Sequence, residues 1–316
     1  MDKLFFGKGM ISVIICTHNP RPQFLLSVLK ALKSQTLAHD NWELLIIDNA
    51  SEEAVSSRFD LSWHPRGKHC RENELGLVHA RRKGFLAARG DTIVFVDDDN
   101  VLDADYLEEA ARLFAENPGL GCVSGDIKAD YESTPPRWFT PEFESWLAVR
   151  KITRDHIANF WHPKAEPVGA GMVVRRSVLA KINELHGVSD ASPVLGRCGD
   201  GLLGGEDVEI AYAALDLGYS IGQVARLRMT HLIPSHRVSE RYLFKLYRSL
   251  CASGRLISAK RAKATRVTHI WRESAKDLLR VFFNKRLGRR LAYERLKSVR
   301  MADAILRGEI RSKNSA

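Results

Sequence analysis

The stretch Thr92-Ile93-Val94-Phe95-Val96-Asp97-Asp98-Asp99 decides how this chain folds. Its five apolar or β-branched residues are too few for a helix and read as a fully buried strand. Three carboxylates then follow at the strand's C-terminal end, the edge where open α/β sheets bind ligands. Carboxylates crowded there repel one another unless a cation sits among their oxygens, and Mg²⁺ or Mn²⁺ suits such ligands. The alternative is that Asp98 to Asp103 only cap and charge the helix that begins near Asp103.

Working outward, Ile11-Ser12-Val13-Ile14-Ile15-Cys16 is a second buried strand, closed by the turn Thr17-His18-Asn19-Pro20. Residues 21–35 follow as an amphipathic helix, with Pro22 in its first turn and Phe24, Leu25, Val28, Leu29 and Leu32 on one face. Trp42 to Asp48 is a strand ending on an acid, and a short strand is expected over 68–71. Helices are expected over 75–88 and 103–116, with a strand over 121–127. Strands alternating with helices of this length indicate a mostly parallel sheet covered on both faces.

The pattern loosens over 130–167, where Pro135, Pro136, Trp138, Phe139, Pro141, Phe143, Trp146 and Trp161 crowd together. A loop of this length is a candidate acceptor wall or a packed cover. It resumes with a strand over 168–175 and a helix over 176–185. A glycine-rich stretch at 187–205 leads into a helix over 206–217, then short strands over 220–224 and 227–231. From Ser239 onward the chain reads as helix.

The chain has 316 residues, 45% of them hydrophobic, and a net charge of +10. No run approaches the ~18 apolar residues that cross a bilayer, and the apolar part of residues 1–8 is too short for a signal peptide. Five dispersed cysteines without a C-x-x-C pair argue against a disulfide framework or a zinc site. A cytoplasmic protein is therefore expected. The charge is uneven: residues 1–239 carry 27 basic and 32 acidic side chains, residues 240–316 carry 21 and 6. The basic segment interleaves Trp271, Leu278, Leu279, Phe282, Phe283 and Leu287 with arginines and lysines. That pattern suits peripheral attachment to an anionic membrane surface, or a helical cover on the domain or on a second subunit as in a homodimer. Nucleic acid is disfavoured, because no recognised nucleic-acid motif accompanies the charge.

Neither G-x-G-x-x-G nor a P-loop follows the first strand. Asp48 could accept a hydrogen bond from a uracil N–H. Glu206-Asp207 opens a helix after two glycines, where acids also complement the helix dipole. His231 ends a strand and is a structural residue or a ligand.

In order, Val13-Ile14-Ile15-Cys16-Thr17-His18-Asn19, Ile46-Ile47-Asp48-Asn49-Ala50-Ser51, Asn73-Glu74-Leu75-Gly76 with Ala80-Arg81, Val96-Asp97-Asp98-Asp99, Gly169-Ala170-Gly171 and Gly205-Glu206-Asp207 resemble the signature series of family-2 glycosyltransferases. The resemblance covers about residues 10–237. It implies a GT-A fold, a Rossmann-like mostly parallel sheet flanked by helices, over 1–239, with a basic helical extension over 240–316. It implies an inverting transfer from a nucleotide-diphosphate sugar, UDP-linked by preference, to a glycan or lipid-linked acceptor in cell-surface polysaccharide synthesis. Enzymes of this kind often act at the inner face of the cell membrane.

By that resemblance, Thr17, Asn19 and Asp48 cradle the nucleoside, and Arg81 lies near the diphosphate or base. Asp97 touches the ribose or metal-bound waters, Asp98 belongs to the same donor site, and Asp99 binds Mn²⁺ or Mg²⁺ with His231. Asp207 is the base and Glu206 orients a substrate. His236 and Arg237 are further candidates for diphosphate contact. Cys16 and His18 depart from the proline and tyrosine often found there, and Asn49 from a second acid. The rival readings are a nucleotidyltransferase and a non-catalytic polyanion- or membrane-binding protein with a decayed transferase domain.

Overall fold

The computed structural model describes residues 9–188, 195–199, 201–262 and 286–308. Four parallel strands form one side of its sheet: β1 (Ile11–Thr17), β2 (Trp42–Asn49), β3 (Gly67–Glu72) and β4 (Thr92–Asp97). They belong to a nine-stranded sheet in the order β3-β2-β1-β4-β8-β6-β9-β5, where β5 is Asn100–Leu102, β6 Leu120–Tyr131, β8 Val173–Arg175 and β9 Ser220–Ile233. β7 (His156–Ala158) pairs with β9 off that path. β8 is antiparallel to both β4 and β6, whereas β6 and β9 run parallel.

Successive strand residues point to opposite faces, so both faces of β1 carry core. Val13 and Ile15 join the cluster under α1 (Pro22–Lys33) and α3 (Tyr106–Glu116). Ile14 joins the one under α2 (Leu77–Ala87), α5 (Arg176–Val188) and α6 (Glu206–Asp216). A three-layer α/β sandwich results, with the sheet in the middle.

Several boundaries differ from the sequence reading, each for a local reason. The strand expected over 168–175 shrinks to Val173–Arg175, because Gly169 to Met172 make a turn closed by the Met172 N–H on the Gly169 carbonyl. The two short strands expected over 220–231 are one strand of 14 residues. Its pairing with β6 jumps between Gly125↔Val224 and Asp126↔Arg228. A Cβ at Gly125 would lie 1.7 Å from the Leu227 carbonyl oxygen, so only glycine admits this bulge. The three-residue β5 and β7 and the short helix α4 (Pro141–Trp146) were not expected.

The extension supplies α7 (Glu240–Arg261) and α8 (Arg286–Leu306), packed together through Ala252, Leu256, Ala302 and Ile305. Leu243 and Leu246 pack with Phe143 and Leu147 of the aromatic loop, and Tyr247 stacks on Trp146 at 4.7 Å. Their apolar faces are therefore largely spent within the chain. The expected aromatic and basic run over 271–285 lies outside the described residues.

Candidate active site

The parallel register sets Thr17 beside Asp48 and Cys16 beside Asp97, so β1, β2 and β4 end at one edge. A cavity of about 1000 Å³ opens there. Thr17, Arg81, Asp97, Asp98, Asp99, Glu206, Asp207 and His231, scattered over more than 200 residues of chain, all line it.

The aspartates differ in environment. Thr17 donates its hydroxyl to Asp98, whose carboxyl is nonetheless pushed up to about 7 by burial and by the charge of Asp99. Burial also raises Asp97, against the pull of Arg81. For Asp99 burial works the same way, but His231 and Arg237 outweigh it and hold its carboxyl well below the usual carboxylate range. β5 explains that meeting. It pairs antiparallel with β9, setting Asn100 opposite His231, and the Leu232 N–H donates to the Asp99 carbonyl at 2.8 Å.

The donor set around Asp99 fits a divalent cation. The His231 Nδ1 faces the Leu147 carbonyl at 2.9 Å and must donate to it, which turns Nε2 toward Asp99 Oδ2 at 3.4 Å. A backbone carbonyl fixing the second ring nitrogen is the usual arrangement of a metal-binding histidine. Arg237 Nη1 lies 3.0 Å from Asp99 Oδ2 and 3.3 Å from His231 Nε2, so a positive group already stands where both point. Among the described residues no three His, Cys, Asp or Glu side chains converge as a ready-made cage. Mg²⁺-type sites commonly use one or two carboxylates and take the rest from substrate phosphates and water.

Arg81 is buried and spans the acidic motifs, 3.8 Å from Asp97 and 3.5 Å from Glu206, with its guanidinium 4.8 Å from the Phe95 ring. Burial overrides that pairing and pushes the Glu206 carboxyl up to about 7, while its Oε1 is buried with no hydrogen-bond partner. Asp207 is tied instead to backbone, accepting from Gly169 N–H at 3.1 Å and Val208 N–H at 2.9 Å. Gly205 precedes the pair at φ +111°, and a Cβ there would stand 2.8 Å from Ile257 of α7.

Two expected donor residues do not line the cavity. Asp48 is turned inward and accepts from Ser51 N–H, Val55 N–H and Arg71 at 3.1, 3.1 and 2.7 Å. Burial raises it, but these bonds prevail and keep it below its ordinary value. Asn19 bridges the turns after β1 and β2 and lines a smaller neighbouring pocket. Asn49 shows why an amide stands there: its Nδ2 donates to the Glu74 carbonyl at 2.6 Å and its Oδ1 accepts from Gly76 N–H at 2.8 Å. A carboxylate could not do both.

Other lining residues escaped the sequence reading, chiefly Arg150, Glu166 and Arg197. They lie in irregular segments and carry no motif. Arg150 reaches the cavity through an isolated bridge to Ile127, which no local pattern announces.

The profile of the family described as glycosyl transferase family 2 matches residues 12–182. The chain belongs to that family. Among relatives, it is 27% identical over 144 residues to the glucosyl-dolichyl phosphate glucuronosyltransferase of Haloferax volcanii, covering 43% of this chain and 44% of that one. It is 28% identical over 127 residues to the putative glycosyltransferase EpsH of Bacillus subtilis, covering 39% and 35%. The chain thus spans less than half the length of these two relatives. The match to the succinoglycan biosynthesis protein ExoM of Rhizobium meliloti is longer, 25% identical over 264 residues, or 79% of this chain and 76% of that one. Residues 1–349 of S. aureus TarS, solved in complex with UDP-GlcNAc, superpose with a TM-score of 0.53 at 13% identity over 95% of this chain and 92% of theirs. That likeness shows the shared GT-A fold.

Proposed function

We propose that this family member is a metal-dependent, inverting glycosyltransferase that moves a sugar from a nucleotide-diphosphate sugar, UDP-linked, to a hydroxyl of a glycan or lipid-linked acceptor in polysaccharide synthesis. The observation that carries the reading is the convergence of the Asp97–Asp99 cluster, Arg81 and the Glu206-Asp207 pair on one cavity. The TarS complex with UDP-GlcNAc and the polysaccharide role in ExoM's name favour the donor and the pathway class.

Asp99 and His231 would hold Mn²⁺ or Mg²⁺, which supplies Lewis-acid relief of charge on the departing diphosphate. Arg237 and Arg81 add fixed positive charge around the diphosphate; Thr17 lines the nucleoside end, and Asn19 and Asp48 act from behind it by bracing the turns after β1 and β2. Asp97 and Asp98 complete the donor site. Asp207 takes the proton from the acceptor hydroxyl as its oxygen bonds to the anomeric carbon. The bond from that carbon to the diphosphate oxygen breaks on the opposite face, and the nucleoside diphosphate leaves with the electron pair. Glu206, whose Oε1 accepts no hydrogen bond among the described residues, receives a hydroxyl of the donor sugar.

A second reading exchanges those two acids. Two backbone N–H groups occupy both carboxylate oxygens of Asp207, whereas a Glu206 carboxyl near 7 suits a base at neutral pH. Under it, Glu206→Gln costs more turnover than Asp207→Asn.

We place the enzyme in the cytoplasm, on the inner face of the membrane through the basic side chains of 240–316, as a catalytic domain over 1–239 with a helical extension. Its five free thiols suit a reducing compartment. Among the described residues no helix is long and apolar enough to cross a membrane. The test is calorimetric titration of UDP, GDP and their sugar conjugates, with Mn²⁺ and with EDTA. Metal-dependent binding of one nucleotide supports the donor assignment; binding of none by the folded protein removes it.

A further inference from the structure

The cavity has a second end with chemistry of its own. Single ligands occupy pockets of up to ~1,000 Å³, and this cavity reaches that size although the aspartates and Arg237 form only one part of its wall. Elsewhere on the wall lie Trp161 and Tyr212, stacked with centroids 4.3 Å apart and planes 16° apart. The Arg261 guanidinium lies 4.0 Å from the Tyr212 ring centroid and pairs with Asp216 at 3.0 Å. The aromatic plate is therefore braced by a cation that is itself held.

Arg150 and Glu166 line the same cavity. The Arg150 backbone exchanges two hydrogen bonds with Ile127 of β6, at 2.8 and 3.0 Å, and its Nη1 donates to the Ser145 and Val149 carbonyls at 2.7 and 2.9 Å. Its other guanidinium nitrogens make no hydrogen bond among the described residues. Gln223 holds the Glu166 carbonyl at 2.5 Å, while the Glu166 carboxylate accepts no hydrogen bond among them. Burial and the nearby Asp207 push that carboxyl up, and Arg150 opposes them. α7 also contributes the small residues Ser253, Gly254 and Ser258 to the lining.

A ring with an apolar face and hydroxyls on its rim matches this wall. Aromatic plates bind the C–H face of such a ring, and a carboxylate beside a guanidinium offers acceptors and donors to neighbouring hydroxyls. The charge selects further. Glu166 and Asp207 both act on Arg150, so little of its charge is left over for a phosphate or carboxylate ligand.

We propose that Trp161, Tyr212, Arg150 and Glu166 form the acceptor subsite, and that it takes the neutral terminal pyranose of a glycan. The ring lies on the aromatic plate, two hydroxyls bridge Glu166 and Arg150, and a third is turned toward the Glu206-Asp207 pair. This rests on the glycosyltransferase reading above.

The test is saturation-transfer NMR on the full chain with Mn²⁺ and UDP. The probes are cellobiose, lactose and maltose as neutral saccharides, and glycerol 1-phosphate and methyl glucuronide as anionic ones. At least one neutral saccharide should bind the wild type, with its Kd raised about tenfold or more in Glu166→Gln and Trp161→Phe. UDP affinity in those variants should stay within roughly twofold of wild type, a change of under ~0.5 kcal/mol. Glu166→Gln is isosteric and Trp161→Phe keeps a ring, so both preserve the packing. Undiminished saccharide binding in both variants overturns the subsite. Preference for the anionic probes overturns the neutral pyranose, as does failure of every saccharide on UDP-bound wild type. Wild type that binds no UDP sinks the glycosyltransferase reading itself, an outcome distinct from these.

Discussion

The two ends of the cavity are built by different means. At the donor end, side chains stand on adjacent parallel strands in fixed register and are tied to one another, as Thr17 to Asp98 and Asp99 to Arg237 and His231. At the other end they come from α6, α7 and the irregular segments 147–155, 159–170, 195–199 and 201–205, and among the described residues Glu166 and Glu206 keep carboxylate oxygens without hydrogen bonds. A register is shared by every residue on a strand, so substituting one leaves the others in place. A loop wall lacks that constraint and can change with the ligand it meets.

That contrast can be broken or sharpened by mutation. Asp99→Ala should have the largest effect, abolishing the Mn²⁺-dependent gain in UDP affinity measured by calorimetry; a retained gain removes Asp99 as the metal ligand. Asp207→Asn should leave UDP affinity near wild type while lowering transfer ~10²–10⁴-fold, the range of a lost general base. Near-normal turnover would pass that role to Glu206. Asn49→Asp deletes a donor in a buried turn and should cost about 1–3 kcal/mol in denaturant unfolding. An unchanged midpoint would mean that the loop before α2 does not depend on this amide.

The smallest effect is a gain. A folded Glu206 carboxyl near 7, against 4.5 when unfolded, keeps a proton that the unfolded chain has released. Stability therefore falls as pH rises through that window. Glu206→Gln escapes the cost and should be more stable than wild type by about 1–2 kcal/mol at pH 8, with the difference gone by pH 4. An advantage that persists at pH 4 would point to packing instead of charge.

Legibility in the sequence follows the same division. β1, β2 and β4 are near-continuous apolar runs, so both their existence and the acids at their ends could be read directly. β9 reads as two strands because Ala225 to Leu227 bulge out of its pairing with β6, and what joins the halves is the β6 glycine, Gly125, that accommodates the bulge, out of sight of β9's own residues. The meeting of Asp99 with His231 needed β5, three residues long and without a pattern of its own. Asp48 could be located at a strand end, but the Arg71 bond that helps turn it inward depends on pairing with β3. Arg150 and Glu166 have only tertiary reasons to be where they are.

Arg81 has a consequence for anyone recombining members of this family. Its single guanidinium is shared between Asp97 on β4 and Glu206 on α6, acids more than 100 positions apart. A graft that imports a foreign 195–216 segment to change the acceptor inherits this arginine from the recipient, and must present a hydrogen-bond acceptor at the same place or leave the buried cation to Asp97 alone. The natural seam for a chimera therefore runs around α2, not along the chain between the two ends of the cavity.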